Sequence, residues 1–267
     1  MLGAEEEPVS ARIHPTALVA AGARIAADVQ IGPYSIVGAQ VEVGEGSWIG
    51  AHVVLDGRMR IGRRNKIFHF ASLGAPPQDK KYAGEDTSVE IGEGNTIREY
   101  VTVNRGTAQD IGVTRLGDDN WLMAYSHIAH DCQVGSHTIF ANCTQLAGHV
   151  TIEDWVILGG FTGVHQHVRV GAHSFTGIGT HLTQDLPPYV TAAGEEGKPF
   201  GLNSNGLKRR GFSADAMSAL KLAYRTLYRS GLSLAEAKRE LEAQATSSAE
   251  VRRFADFIAS SKRGIIR

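Results

Sequence analysis

Aliphatic residues fall on every sixth position along most of the first 185 residues. The run begins Ile13, Val19, Ile25, Ile31, Val37, Val43, Ile49, Leu55, Ile61, Ile67, Leu73 and resumes in phase, after a break, at Ile91, Ile97 and Val103. A second break shifts the phase by one residue. The pattern then reads Leu116, Leu122, Ile128, Val134, Phe140, Leu146, Ile152, Leu158, Val164, Val170, fails at Thr176 and returns at Leu182. Gly often follows the aliphatic residue, as at Gly32, Gly62, Gly92 and Gly117, and a small or β-branched residue often comes three positions later.

A period of six fits neither a lone helix nor a half-buried strand, so the chain is a repeat architecture. The geometry that satisfies it is a parallel β-helix with three flat faces, one hexad to a face and 18 residues to a coil. The aliphatic side chain points into a narrow prism, and the glycine is expected to let the chain turn the corner. A β-sandwich would instead show alternation with turn signals every 8–12 residues, which this sequence lacks. The repeat is expected to span 13–186, with loops thrown out near 74–88, which contains Pro76-Pro77, and near 106–114.

From 187 to 267 the pattern turns helical. Ser213 reads as an N-cap ahead of Ala216, Leu220, Ala223, Tyr224 and Leu227, and Gly231 ends that helix. Ser233 with Glu236, and Ser247 with Glu250, read as capping boxes for two more. Such a helical tail would cover the raw edge at one end of the β-helix.

Composition narrows the possibilities further. A formal net charge of −1 gives no field that calls for nucleic acid or an anionic membrane. No apolar run is long enough to span a bilayer, and the opening MLGAEEEPVS lacks a signal-peptide core. Cys132 and Cys143 lie off the 18-residue stacking interval, which argues against a disulfide and for a reducing cytoplasm.

The candidate chemistry gathers in Ser126–Cys132 and in residues one and two coils on. Positions 18 apart should stack at roughly 4.8 Å. His130, Gly148 and Gln166 then form one column, and Asp131, His149 and His167 the next, with His127 above Gln145 and His165 above Ala147. Histidine can take a proton from an attacking hydroxyl, a neighbouring Asp can orient it, and a bare Gly N–H can receive an oxyanion. Elsewhere His137 and His173 read as solvated face residues. Zinc held by His127, His130 and His149 is the rival use of the cluster, and a non-catalytic scaffold is the third reading.

Taken together, HIAHDC at 127–132, LAGHV at 146–150, GVHQ at 163–166, QDKKYAGE at 78–85, IRE at 97–99 and GLKRRGF at 206–212 resemble the UDP-N-acetylglucosamine O-acyltransferase family. The resemblance covers nearly the whole chain. It implies an all-β left-handed parallel β-helix with a small α-helical C-terminal domain, assembled as a homotrimer with active sites between neighbouring subunits. It further implies a cytoplasmic enzyme, without metal or cofactor, that moves an (R)-3-hydroxyacyl group from acyl carrier protein to the glucosamine 3-hydroxyl of UDP-N-acetylglucosamine, the first step of lipid A biosynthesis. His130 matches the family's general base, Asp131 its partner and Gly148 the oxyanion donor. Asp79, Lys81, His127, His149, His165 and Gln166 match positions that bind the sugar nucleotide or place the acyl chain. Asn203, Arg209 and Arg210 match nucleotide and phosphate contacts, a role that suits guanidinium forks.

Some positions depart from the family. Asn104 stands where some members carry His, Glu196 where some carry His, and Asn205 where some carry Glu, which puts individual nucleotide contacts in doubt. Ile178 stands where members that accept long acyl chains carry Gly, and is expected to act as an acyl-chain ruler favouring medium donors. The related N-acyltransferase of the same pathway carries a long N-terminal domain before its hexads, whereas here they begin at residue 13.

Overall fold

In the computed structural model, which describes residues 12–267, the hexads wind into a three-sided parallel β-helix. The acidic opening segment lies outside the described residues. Each hexad gives a strand of two to four residues, and the described strands form three sheets of eleven, nine and eight. Coil stacks on coil in strict register: Lys66 pairs with Trp48 and Ile67 with Ile49, 18 positions earlier. The two loops are insertions into this rhythm. Lys66 pairs upward with Thr96, a coil lengthened by 12 residues, and Thr96 with Trp121, a coil lengthened by 7.

The core is a thin column of hexad side chains, among them Ile31, Ile49, Ile67, Ile97, Leu122, Phe140 and Leu158, all at most 1% exposed. The small residues predicted between them are buried too: Ser35, Thr138, Thr144, Thr162 and Ser174. Thr176 breaks the aliphatic rule without leaving an unsatisfied hydroxyl. Its Oγ1 accepts from the Gly159 N–H at 2.9 Å and bonds Thr162 Oγ1 at 2.8 Å.

The glycine that often follows the aliphatic residue does a different job from the one expected. Gly62, for example, is not among the residues with positive φ. It is glycine because the next coil passes so closely: a Cβ there would lie 2.6 Å from the Gly92 carbonyl oxygen. The left-handed corner residue comes two positions further on and is seldom glycine. Tyr34, His52, Phe70, Tyr100 and Tyr125 occupy one corner with φ of 56–64°. Left-handed backbone is costly for such residues. It is offset here by stacking, with successive ring centroids 4.9–5.1 Å apart, near the one-coil rise.

The β-structure runs past the expected boundary at 186. Val190–Ala193 extends the eleven-stranded sheet in parallel, and Lys198–Leu202 turns back on it antiparallel. Sequence reading missed this hairpin because it abandons the hexad period while its strands are short. Four helices follow: α1 (Ser204–Arg209), α2 (Ala214–Tyr228), α3 (Leu234–Gln244) and α4 (Ala249–Ser260). Ser213 caps α2, and the Ser233/Glu236 capping box is present. For α4 the expected cap moves by one residue. Ser248 is the N-cap and accepts from the Val251 N–H, while Ser247 closes the preceding 3₁₀ turn.

One buried apolar cluster continues from the prism through Val190 and Leu207 into Leu220, Leu227 and Phe254, so the helices do cover that end. Asp185 ties the C-terminal tail down: its backbone bonds Gly264 and Ile266, and its carboxylate accepts from Ser261 Oγ at 2.7 Å. Both cysteines are free. Cys132 is buried and donates to the Ala147 carbonyl, and burial pushes its thiol up to about 12.

The close coil approach is open to test. Gly62→Ala should lower stability by about 1–3 kcal/mol, the usual cost of overpacking a rigid interior, read as an earlier denaturant midpoint with unchanged circular dichroism. An unchanged midpoint would show that adjacent coils can give way.

Candidate active site

The corner between the nine- and eight-stranded sheets carries Asp131, His149 and His167, one to a coil, all in the left-handed conformation with φ of 59°, 62° and 63°. The residue before each corner is His130, Gly148 or Gln166. His130 therefore swings over Gly148, where a Cβ would lie 2.6 Å from its Cε1. No other residue type leaves room for this ring. Among the described residues the Gly148 N–H donates to no protein group.

His130 Nδ1 lies 2.9 Å from Asp131 Oδ2. The Asp131 side chain is fully buried, and His130 keeps 16% of its own exposed. The second loop, inserted from the coil below, clamps that carboxylate. The Thr107 N–H reaches both oxygens at 3.0 Å and its hydroxyl donates to Oδ2 at 2.6 Å. Thr114 Oγ1 accepts from the Asp131 N–H at 2.8 Å. A carboxylate held this way accepts the Nδ1–H of His130, which leaves Nε2 free to act as a base.

His149 stands edge-on to His130 with centroids 4.9 Å apart and stacks on His167 at 4.4 Å. Its Nδ1 meets Asp110 Oδ2 at 2.6 Å. His127 lies on the adjacent strand with Nδ1 2.7 Å from Thr102 Oγ1. Burial, then the neighbouring His130, lower its pKa, so it is neutral at pH 7. Burial and then His149 lower that of His167 too. His165 is exposed and takes a contact from Arg263 of the C-terminal tail at 3.3 Å. Beside these rings runs an open groove of about 390 Å³, lined by His127, Ala129, Ala147, Gly163, His165 and His181.

Among the described residues the group whose donor atoms converge as a metal site would need is His130, Asp131 and His149, not the trio with His127. Asp131 already accepts from Thr107 and His130, so an ion would have to displace those donors.

Other predicted residues are held by contacts of their own. Asp79 and Lys81 bond one another's segment within the first loop, where the Lys81 N–H donates to Asp79 Oδ1 at 3.0 Å. That loop is joined to the second by Arg105, which donates to Tyr82 Oη at 3.1 Å. Asn203 caps α1, its amide oxygen accepting from Gly206 and its nitrogen donating to the His173 carbonyl. Arg210 donates to the Trp155 carbonyl at 3.0 Å and lies over the indole ring, while Arg209 is exposed. These two contacts fall on the corner that carries His137, Trp155 and His173. Neither histidine there is a simple solvated face residue. His137 stacks on Trp155 at 4.2 Å, and His173 packs between Trp155 and Tyr189, where burial and then Arg210 push its pKa down to about 4. Ile178 is 77% exposed and so does not fill the prism. Of the positions that depart from the family, Asn104 is buried with its amide oxygen unpartnered, and Glu196 pairs with Lys198 at 2.7 Å on the hairpin.

Known proteins resemble this chain over nearly its whole length. The chain is 63% identical to the acyl-(acyl-carrier-protein)–UDP-N-acetylglucosamine O-acyltransferase of Thiobacillus denitrificans, over 96% of this chain and 100% of that one. The chain belongs to the UDP-N-acetylglucosamine O-acyltransferase family. A relative of the same description from Janthinobacterium is 57% identical over 96% and 99% of the two chains. The profile described as Udp N-acetylglucosamine O-acyltransferase, domain 2, matches residues 185–266, and that of the bacterial transferase hexapeptide matches 114–148. Among solved structures, LpxA of Acinetobacter baumannii superposes with a TM-score of 0.93 at 44% identity, covering 96% of this chain and 99% of that one. The Francisella novicida UDP-N-acetylglucosamine acyltransferase gives 0.93 at 41%, covering 96% and 94%. The fold is thus the left-handed parallel β-helix of this family, and the chain is an acyltransferase.

Thr107, Thr114 and Asp110 went unnoticed in the sequence because they lie in, or at the end of, a loop outside the hexad register. The only signal was the loop itself, a break in the hexads rich in Gly, Thr and Asp. If Thr107 clamps Asp131, Thr107→Val should cost about 1–3 kcal/mol of unfolding free energy, since a buried carboxylate loses a donor, and Thr107→Ser should restore most of it. Equal denaturation curves for Val and wild type would disprove the clamp.

Proposed function

We propose that this enzyme transfers an (R)-3-hydroxyacyl group from acyl carrier protein to the glucosamine 3-hydroxyl of UDP-N-acetylglucosamine, the first step of lipid A biosynthesis. The observation that carries the mechanism is the contact of His130 with Asp131 on one side and bare Gly148 on the other. His130 Nε2 removes the proton from the sugar hydroxyl as its oxygen attacks the thioester carbonyl. Asp131 holds the ring and stabilises the imidazolium. The free Gly148 N–H steadies the tetrahedral oxyanion, and collapse expels the carrier-protein thiolate, which takes the proton from His130. Every group in these steps belongs to the protein or its two substrates.

The working unit is a homotrimer in the cytoplasm. Its support is the distribution of polar groups: Arg210, and with it Arg209, belongs to the corner that carries Trp155 rather than the one that carries His130, so a cleft drawing on both sets needs a second subunit. Among the described residues no helix is long and apolar enough to cross a membrane. Lys81 and the exposed Arg209 supply charge for the diphosphate, Asp79 binds the nucleotide within the first loop, and Asn203 and Arg210 hold the segment that carries Arg209. His165 and Gln166 line the acyl path beyond the reacting carbonyl.

The direct test is an assay of purified protein with UDP-N-acetylglucosamine and hydroxyacyl carrier proteins of several lengths, with the product identified by mass spectrometry. His130→Ala should lower kcat by at least ~10²-fold, the usual worth of a positioned acid–base group, with circular dichroism and assembly state preserved. Near-normal turnover in that variant would remove His130 from the mechanism.

Ile178 sets the chain length. It projects into solvent from the coil after Gly160, its Cγ1 3.9 Å from where a Cβ on Gly160 would be. Facing a neighbouring subunit it narrows the acyl path, and each methylene excluded forfeits about 0.8 kcal/mol. The enzyme should favour donors on the order of ten carbons over fourteen, a selectivity of tenfold or more. Ile178→Gly should shift the preference to longer donors, and identical profiles for the two proteins would show that another residue measures the chain.

A further inference from the structure

The active site contains a second imidazole–carboxylate pair that mirrors the first. Asp110 projects from the inserted loop to place Oδ2 2.6 Å from Nδ1 of His149, as Asp131 places Oδ2 2.9 Å from Nδ1 of His130. The two pairs touch: the rings stand edge-on with centroids 4.9 Å apart, and Asp131 Oδ2 is 3.9 Å from His149 Nδ1. One short loop serves both, Thr107 gripping Asp131 and Asp110 gripping His149, and the Asp110 N–H closes the turn on the Thr107 carbonyl at 3.3 Å.

We infer that Asp110 is a positioning residue that fixes the tautomer and orientation of His149, so that His149 Nε2 accepts a hydrogen bond from a second hydroxyl of the acceptor sugar. The chemistry follows from the contact. A carboxylate only accepts, so the proton on His149 lies on Nδ1, and neutral Nε2 carries a lone pair. Stacking on His167 at 14° between ring planes prevents the ring from turning away. With His130 Nε2 taking the proton of the reacting hydroxyl, His149, whose ring centroid lies 4.9 Å from that of His130, sets a second acceptor within reach of another hydroxyl of the same pyranose. The sugar is then held at two points, which aligns the attacking oxygen without adding charge to the site. This assignment rests on the acceptor being UDP-N-acetylglucosamine.

The test compares Asp110→Ala and Asp110→Asn with wild type in the assembled enzyme, using steady-state kinetics in each substrate. The Ala variant should raise KM for UDP-N-acetylglucosamine by roughly tenfold, the scale of one lost polar contact, with kcat within about threefold and KM for the acyl carrier protein unchanged. The Asn variant retains an amide oxygen for the Nδ1–H and should recover most of that loss. Nitrogen NMR of ¹⁵N-histidine protein, with the His149 signal assigned by its loss in His149→Gln, should show Nδ1 protonated in wild type and a tautomer mixture in Ala. An unchanged KM for the sugar nucleotide, a loss confined to kcat, or a wild-type His149 protonated on Nε2 would each overturn the assignment. If wild type does not turn over UDP-N-acetylglucosamine at all, the proposed function fails, and the tautomer measurement still decides the Asp110 contact.

Discussion

Everything in this molecule depends on one coil sitting directly on the next. Parallel backbone bonds link residues 18 positions apart, so like positions superpose along the whole prism. The spacing is too small for a Cβ at the glycine that follows the inward aliphatic residue, as the 2.6 Å approach at Gly62 shows. It is also the distance at which aromatic rings stack. The same constraint therefore strips the side chain from that position in many coils and fills another with Tyr, Phe and His held in left-handed backbone.

The candidate active site is a local use of this rule. A column of corner residues becomes Asp131, His149 and His167, and the column before it becomes His130, Gly148 and Gln166. Coil stacking alone brings an imidazole over a bare glycine and beside a second imidazole. What it does not supply is a way to hold the carboxylates. The donors come from an inserted loop, whose threonine has both an N–H and a hydroxyl to give. Insertion at a corner costs little in a solenoid, because neighbouring coils keep their register, as the pairing of Ile91 with Ile61 and Leu116 shows.

Charge is arranged by burial as much as by pairing. Burial, and after it a neighbouring imidazole, lowers the pKa of both His127 and His167. At the far corner burial and then Arg210 push the pKa of His173 down to about 4, and there the ring serves as packing between β-helix and helices. Identical residue types thus take opposite roles according to which corner they occupy.

By itself the sequence determined the fold, because a six-residue aliphatic period can be satisfied only by hexads facing inward on a three-sided coil. It also determined which polar residues superpose, since 18-residue arithmetic places His130 on Gly148 and Asp131 on His149 without coordinates. It marked Ser213 and Ser233 as caps, where the signal is local. It missed the hairpin over 190–202, put the cap of α4 at Ser247 rather than Ser248, and credited the glycines with turning corners that Tyr34 and His149 turn. Only the tertiary structure decided that Thr107 and Asp110 reach the imidazoles, that Arg210 is engaged on Trp155, and that Ile178 faces outward. The reason is physical. Register follows from the period, so it can be read along the chain, whereas a loop that leaves the register is positioned by contacts between residues 24 to 39 apart, and no local pattern records them.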